Sequence, residues 1–223
     1  DPSHHGSDGE LAMMRPTRRE RAAEHTREDI LVAAARVFAR KGYAAAGVQE
    51  IAAEAGFAAA SLYSYFKGKR AIWDALRDKI IAEFEALMEK PLPAGLSLEQ
   101  RLELVLSEQL GWAEGRRDEF VAVMSPPPAE ASDGEPSAQD CDPDLIARSA
   151  DYVARICAEH PDHPALQGLT EEEAGYVMWG LSNAYFMRWI ARGEAATPLS
   201  HEASKIVTLF FRGCAGLSEL AKA

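Results

Sequence analysis

Apolar residues recur three and four positions apart through nearly the whole of this 223-residue chain, and no stretch alternates apolar with polar residues. That spacing gathers apolar side chains on one face of an α-helix and leaves nothing from which to build a sheet. The expected fold class is therefore all-α. With 47% hydrophobic and 26% charged residues the chain has the mix of an ordinary globular protein, which excludes overall disorder and collagen-like architectures. No apolar run approaches the roughly 18 residues of a membrane helix, because Arg188 and Arg192 interrupt the most apolar segment. Cys141, Cys157 and Cys214 are too few and too scattered for a disulfide framework or a zinc site. Cys157 and Cys214 read as small hydrophobes on helical faces, with redox sensing as the alternative. A cytoplasmic location is the default expectation.

Residues 1–12, with His4, His5, Gly6 and Ser7, read as the remnant of an expression tag, and Met13 or Met14 as the start. Thr26 is placed to cap a first helix with Ile30, Ala34, Val37 and Phe38 inward, ending at Lys41 and Gly42. Short helices over 48–55 and 59–66 follow, then a long one over 69–89 with Ile72, Leu76, Ile80, Phe84 and Leu87 inward. Ser97 with Gln100, and Thr170 with Glu173, form capping-box patterns that open helices over 97–116 and 171–192. Segment 125–144 is rich in proline and acidic residues without Lys or Arg, and reads as a flexible loop. A shorter helix covers 143–159, and Thr197 followed by Pro198 opens the last one, to about Leu220.

Charge is asymmetric. The chain carries 24 Lys and Arg against 35 Asp and Glu, yet Arg15 to Lys79 holds 13 basic and 8 acidic residues. A basic first third on an acidic body suits one end for a polyanion, although chance clustering would look the same. Helices 48–55 and 59–66, joined at Gly56, form a helix-turn-helix pattern. The major groove admits one helix held at a fixed angle by a partner crossing the backbone, and Gly56 permits the positive φ such a turn uses. Ile51, Ala55, Phe57, Leu62 and Phe66 would pack beneath. Taken alone the pattern also fits an ordinary helical hairpin.

The larger string is more specific. Ile30 to Phe38, then Lys41-Gly42-Tyr43, Val48 to Ala52, Ala55-Gly56-Phe57, Leu62 to Phe66 and Lys69 closely resembles the N-terminal domain of the TetR family of transcriptional repressors, over about residues 26–76. The resemblance implies a homodimer whose two recognition helices read a near-palindromic operator, released by a small effector bound in a C-terminal ligand-binding and dimerisation domain. It places Gln49, Ser61, Ser64, Tyr63, Tyr65 and Lys69 at DNA, on bases or on phosphate. The expected division is a DNA-binding domain over 13–68 and a ligand-binding and dimerisation domain over 69–223. Ala58, Ala59 and Ala60 depart from the family's usual capping serine and polar turn, and Gly47 and Gly68 replace frequent hydroxyl caps. Few long base-reading side chains remain, so modest base specificity is expected, with DNA shape contributing more. The arm Arg15 to Arg21 reads equally as a DNA-contacting arm or a solvated tail.

The helix over 171–192 is too apolar all round for a surface helix. With the last helix (Ile206, Val207, Leu209, Phe210, Phe211, Leu217) it reads as a dimer interface, with Gly175, Gly180, Ala184, Gly213 and Gly216 permitting close crossings. Candidate effector-binding residues are Phe84, Met88, Leu106, Gln109, Trp112, Phe120, Met124, Tyr152, Ile156, Trp179, Asn183 and Phe186. These suit an apolar or aromatic molecule oriented by Gln109 and Asn183, and each could instead be core packing. His160-Pro161-Asp162-His163 reads as a surface turn rather than a metal site. No phosphate loop, nucleophile elbow or paired-carboxylate motif is present, so neither catalysis nor a cofactor is expected. The chain reads as a ligand-responsive transcription regulator. The alternative is a helical small-molecule-binding or enzymatic protein with a degenerate helix-turn-helix that no longer reads DNA.

Overall fold

The computed structural model of the chain describes residues 17–124, 127, 143–193 and 198–220, with backbone alone for 143, 144 and 214–220. Among these residues there are nine α-helices and no strand. In chain order they are α1 (Arg18–Ala45), α2 (Val48–Glu54), α3 (Ala59–Leu62), α4 (Lys69–Met88), α5 (Leu98–Glu114), α6 (Arg117–Val123), α7 (Pro143–Ala158), α8 (Glu171–Arg192) and α9 (Ala203–Leu220). The architecture is all-α: a helix-turn-helix unit followed by a helical body.

Capping boxes set three of the helix starts. Ser97 with Gln100 and Thr170 with Glu173 form reciprocal capping boxes on α5 and α8, as their spacing predicts. The Glu173 carboxyl, bonded by the Thr170 backbone N–H and hydroxyl, is held below the usual carboxylate range. Its contribution is present above the ordinary value and fades as pH falls through the depressed one. The expected start of α1 at Thr26 is wrong. A third box, Thr17 with Glu20, opens the helix earlier, and the Thr26 hydroxyl bonds the Ala22 carbonyl inside it. Arg18, Arg19 and Arg21 therefore ride on a helix rather than on a loose arm. The last helix also starts later than expected. A 3₁₀ turn at Leu199–Glu202 precedes Ala203, and Thr197 lies outside the described residues, as do segment 125–126 and 128–142 of the expected loop.

Two apolar clusters organise the chain. The first joins Ile30, Ala34, Val37 and Phe38 of α1 to Ile51, Leu62, Phe66 and, from α4, Ile72, Trp73 and Leu76. The second gathers Leu98, Leu102 and Leu106 of α5, Ile156 of α7, Met178 of α8 and Ile206 and Phe210 of α9. Helix α4 leads from one to the other, since Met88 near its end packs against the second. The short helix α6, to which the sequence reading assigned no element, sends Ala122 into the first cluster, fully buried.

Gly175 lies at an internal crossing rather than at the expected dimer interface. A Cβ there would stand 2.3 Å from the Ala150 carbonyl oxygen and 2.9 Å from its carbon, so α7 and α8 touch backbone to backbone. Nothing stands within 4 Å of the equivalent point on Gly180. Gly175→Ala must therefore push the two helices apart, at about 1–3 kcal/mol by the usual cost of overpacking. Gly180→Ala meets nothing within its own chain and is expected to leave the α7–α8 crossing intact. Urea denaturation of the two variants checks the contrast.

Candidate nucleic-acid interface

Helices α2 and α3 and the turn between them form the helix-turn-helix. The turn closes through Gly56 N–H to the Ala53 carbonyl (3.1 Å) and Phe57 N–H to the Ala52 carbonyl (2.8 Å). Gly56 takes φ 76° with open space around it, so its role is conformational and not steric. Beneath, Ile51, Leu62 and Phe66 are buried, while Ala55 and Phe57 are half-buried.

Helix α3 is one turn long, against the two turns expected over 59–66. No side chain caps it at Ala58, and beyond Leu62 the backbone continues as turns closed by Ser64 to Ser61, Tyr65 to Leu62 and Phe66 to Leu62. A helix this short and uncapped has no stability of its own, so tertiary contacts must hold it. Leu62 and Phe66 anchor its inner side. On the far end, Arg27 of α1 donates from Nη1 to the Tyr65 carbonyl at 3.1 Å, and its guanidinium lies 4.2 Å from the centre of the Phe66 ring. Sequence reasoning missed this contact. The signal, an arginine one turn before the buried Ile30, became legible only with the fold.

The expected DNA-contacting residues do not all face outward. Gln49, Ser61, Tyr63 and Ser64 are exposed, Tyr63 at 57%. The Ser64 hydroxyl donates to the Ser61 carbonyl at 2.6 Å. Tyr65 is half-buried against the first cluster. Lys69 points inward. Its ammonium donates to the carbonyls of Tyr43 (2.8 Å), Ala46 (3.0 Å) and Ala44 (3.3 Å) and sits 4.5 Å from the Tyr43 ring centre. A cation there satisfies the carbonyls left open at the end of α1. Lys67, exposed beside the recognition turn and without an ion pair among the described residues, is the cation the sequence reading passed over.

Other cations near the motif are already neutralised. Lys41 pairs with Glu50 at 2.8 Å, and Arg40 reaches Glu50 and Glu54 at 3.4 Å, tying α2 to α1. Hydrogen bonding from Lys41 holds the Glu50 carboxyl below its ordinary range. Arg18, Arg19 and Arg21 carry no ion pair with another described residue. Exposed cations without a described ion pair thus include three at the start of α1 and Lys67 beside the recognition turn.

Helix α6 connects this unit to the body. Trp73 donates from Nε1 to the Ala122 carbonyl at 3.2 Å. Lys79 of α4 bonds Glu28 of α1 and, at 3.1 Å, Glu119 of α6. Burial pulls the Lys79 ammonium down, but its bonds to Glu28 and Glu119 outweigh burial and leave it above its ordinary value. Arg117 donates to the Ile190 carbonyl of α8 at 2.8 Å and covers the Trp189 ring at 5.3 Å.

The expected effector residues do not gather in one place. Phe84, Trp112, Phe120 and Phe186 form a ladder with ring centres 5.6, 5.3 and 5.0 Å apart. Leu106 and Ile156 are buried core residues. Gln109 and Tyr152 line a cleft of about 220 Å³, and Met88 lines a wider groove between α4 and α7. Trp179 and Asn183 are half-buried on α8, and Met124 is exposed at the end of α6. Among the described residues no group of three His, Cys, Asp or Glu could hold a metal ion, and no helix is long and apolar enough to cross a membrane. His163 bonds Glu99 at 3.1 Å against the Phe211 ring, and His160 contacts the Ile156 carbonyl.

An outward recognition turn on a helix-turn-helix, joined by one long helix to a helical body, defines a class of DNA-binding regulators. The family comparison agrees. Residues 30–76 match the model of the bacterial regulatory proteins, tetR family. The chain is 33% identical over 96 residues to the fatty acid metabolism regulator protein of Bacillus subtilis (strain 168), a match spanning 43% of this chain and 48% of that relative. The fold is shared with the fatty acid degradation regulator FadR of Bacillus halodurans (TM-score 0.64, 17% identity, 84% of this chain and 95% of that one). It is shared also with NalD, the secondary repressor of the MexAB-OprM multidrug efflux pump in Pseudomonas aeruginosa (TM-score 0.66, 21% identity, 86% and 97%). A TetR-like transcriptional regulator of Rhodococcus sp. RHA1 matches at TM-score 0.61 and 21% identity, over 91% of this chain and 100% of that one. The tetR-family match thus covers residues 30–76, the chain spans about half the length of the curated relative, and over the rest the likeness is one of fold.

If Arg27 holds the recognition turn, Arg27→Met must loosen it without unfolding the domain. Hydrogen exchange at the amides of residues 64–66 is expected to quicken about tenfold, matching the loss of a charge-assisted bond partly screened by solvent. Exchange in the middle of α1 should stay unchanged. Equal rates in both proteins would show that Leu62 and Phe66 suffice.

Proposed function

We propose that the chain is a homodimeric, ligand-responsive transcription regulator, acting as a repressor in the cytoplasm. In this reading residues 13–68 bind a near-palindromic operator and residues 69–223 bind a small, largely apolar effector and dimerise. The observation that carries it is the outward presentation of the recognition turn: Leu62 and Phe66 are buried while Ser61, Tyr63, Ser64 and Lys67 face solvent. Hydroxyls and cations at such a turn complement phosphate oxygens and position the turn in the groove. Gln49, at the start of α2, would reach a base or phosphate nearby. Tyr65 and Lys69 act from behind, Tyr65 through its pinned carbonyl and Lys69 by fixing the end of α1 against the start of α4. Small hydroxyls and alanines leave little direct base readout, which supports modest base specificity with shape readout. The names of two relatives, regulators of fatty acid metabolism and degradation, support an apolar effector.

Dimerisation through α8 and α9 is supported by what they leave uncovered. Tyr176, Val177 and Met187 of α8 and Leu209 of α9 are each 40–43% exposed, and Gly180 and Ala184 lie exposed between them. Large apolar side chains aligned at helical spacing beside small residues form a self-complementary stripe for a two-fold contact. Release from DNA then requires an effector that prefers a dimer whose recognition turns no longer match half-sites one helical turn, about 34–36 Å, apart. The links through α6, from Ala122, Glu119 and Arg117 to α4, α1 and α8, give that preference a mechanical route.

Mobility shifts on DNA from the chain's own upstream region, with salt titrated, test the reading. Affinity should fall steeply with salt, with a slope of several units on logarithmic axes, and prefer one sequence over bulk DNA. Binding with no sequence preference at any salt favours the alternative reading, in which the uncapped one-turn α3 no longer reads DNA. Separately, Met187→Glu with Leu209→Lys should convert the dimer to a monomer in sedimentation equilibrium. A dimer that persists in this variant locates the interface elsewhere.

A further inference from the structure

Five charged side chains meet where α1, α4 and the start of α6 come together: Glu28, Lys79, Glu83, Arg116 and Glu119. Lys79 bonds Glu28 and Glu119, and Arg116, just before α6, bonds Glu83 at 2.7 Å. Each of these pairs joins α4 to a neighbour. The same charges are also placed for a second set. Lys79 already stands 4.0 Å from Glu83, one turn along α4, and Arg116 stands 3.7 Å from Glu119, three residues along. The Glu119 side chain is only 11% exposed, and its Oε2, the oxygen 3.7 Å from Arg116, makes no hydrogen bond to a described residue. A buried carboxylate oxygen is normally bonded, so this one has room for a donor it does not yet hold. Trp112 touches both parties to the Arg116–Glu83 pair. Its indole N–H donates to Glu83 at 3.3 Å, and the Arg116 guanidinium lies 5.2 Å from its ring centre.

We propose that this cluster is a two-position latch, in which Arg116 passes from Glu83 to Glu119 while Lys79 passes from Glu28 and Glu119 to Glu83. The exchange trades three pairs that tie α4 to its neighbours for two that lie within α4 and at the start of α6. Helix α4 then lets go of α1 and α6 together. The order of burial is what makes the second position accessible. A buried charge without a partner is costly, whereas an exposed one is served by water. Glu119 keeps a cation in both positions, and the carboxylate left over is Glu28, 45% exposed. Packed junctions of this kind move between discrete arrangements rather than deforming smoothly. Trp112 belongs to the aromatic ladder, so a displacement of the ladder moves the ring on which Arg116 rests and favours one position over the other. The release bears on DNA only through the regulator reading, in which α1 holds the recognition turn by Arg27.

The indole proton of Trp73, buried and donated to the Ala122 carbonyl, reports on the contact of α4 with α6. Its hydrogen exchange is followed by NMR in the full chain, with thermal melting to confirm folding. Glu28→Gln removes a tie used only in the first position and should quicken exchange about two- to fivefold, the span of one partly exposed ion pair. Arg116→Met added to it leaves Glu119 without a cation in the second position, so this double variant should return to the wild-type rate or below. Glu28→Gln with Arg116→Lys keeps a cation within reach of Glu119 and should stay quick. A fixed brace behaves otherwise, since each lost pair can only loosen it. Three results overturn the proposal: exchange in Glu28→Gln equal to wild type, exchange in the Arg116→Met double variant as quick as in Glu28→Gln alone, or an Arg116→Lys double variant as slow as the Arg116→Met one. Operator affinity measured on the same samples separates the two readings. Sequence-specific DNA binding with purely additive loosening removes the latch alone, whereas the reversal at Trp73 without DNA preference in any variant keeps the latch and removes the regulator.

Discussion

A four-residue helix cannot hold its own shape in water, and the surface proposed to meet DNA depends on one. Nucleating a helical turn fixes several backbone angles for a single hydrogen bond, and Ala58 offers no side-chain cap to offset it. The conformation of 59–66 is instead imposed from three sides. Leu62 and Phe66 are drawn into the first cluster, Gly56 turns the chain, and Arg27 grips the Tyr65 carbonyl across the Phe66 ring. The recognition surface is therefore a property of α1 and α4 as much as of its own residues.

In the proposed reading, that dependence gives the body a means to govern it. Arg27 and Glu28 are neighbours on α1: one holds the recognition turn, and the other bonds Lys79, which reaches Glu119 on α6. Arg117, two residues before Glu119 on α6, holds α8 through the Ile190 carbonyl. Side chains on α6 thus face two directions, with Ala122 in the first cluster and Phe120 in the aromatic ladder toward Phe186. A shift of α8 cannot leave α1 untouched unless one of these bonds breaks. Close packing transmits such displacement because little free volume exists to absorb it.

The charge pattern also acquires a different meaning in three dimensions. Much of the basic excess of the first third serves the protein itself, with Arg40 and Lys41 tying α2 to α1 and Lys69 closing α1. Exposed pairs of this kind add little stability, but they fix geometry and remove cations from the field that a polyanion would feel. What remains outward is a smaller and better-placed set: Lys67 beside the turn and the arginines opening α1.

The sequence alone determined most of the helices, because spacing and capping are local, although it started α1 at Thr26 and assigned no helix to 117–123. Ser97 with Gln100 and Thr170 with Glu173 bond within one turn, so reading them required no knowledge of the fold. It determined the helix-turn-helix for the same reason, since Gly56 and the apolar positions around it act over a few residues. Tertiary structure decided which way side chains face. Lys69 turns inward because the end of α1 arrives beside it, and Gly175 is needed because the Ala150 backbone lies against it. Arg27 matters because Tyr65, 38 positions away, ends where it can be reached. Each of these depends on two segments meeting, and a meeting between distant segments leaves no mark in the local spacing of either.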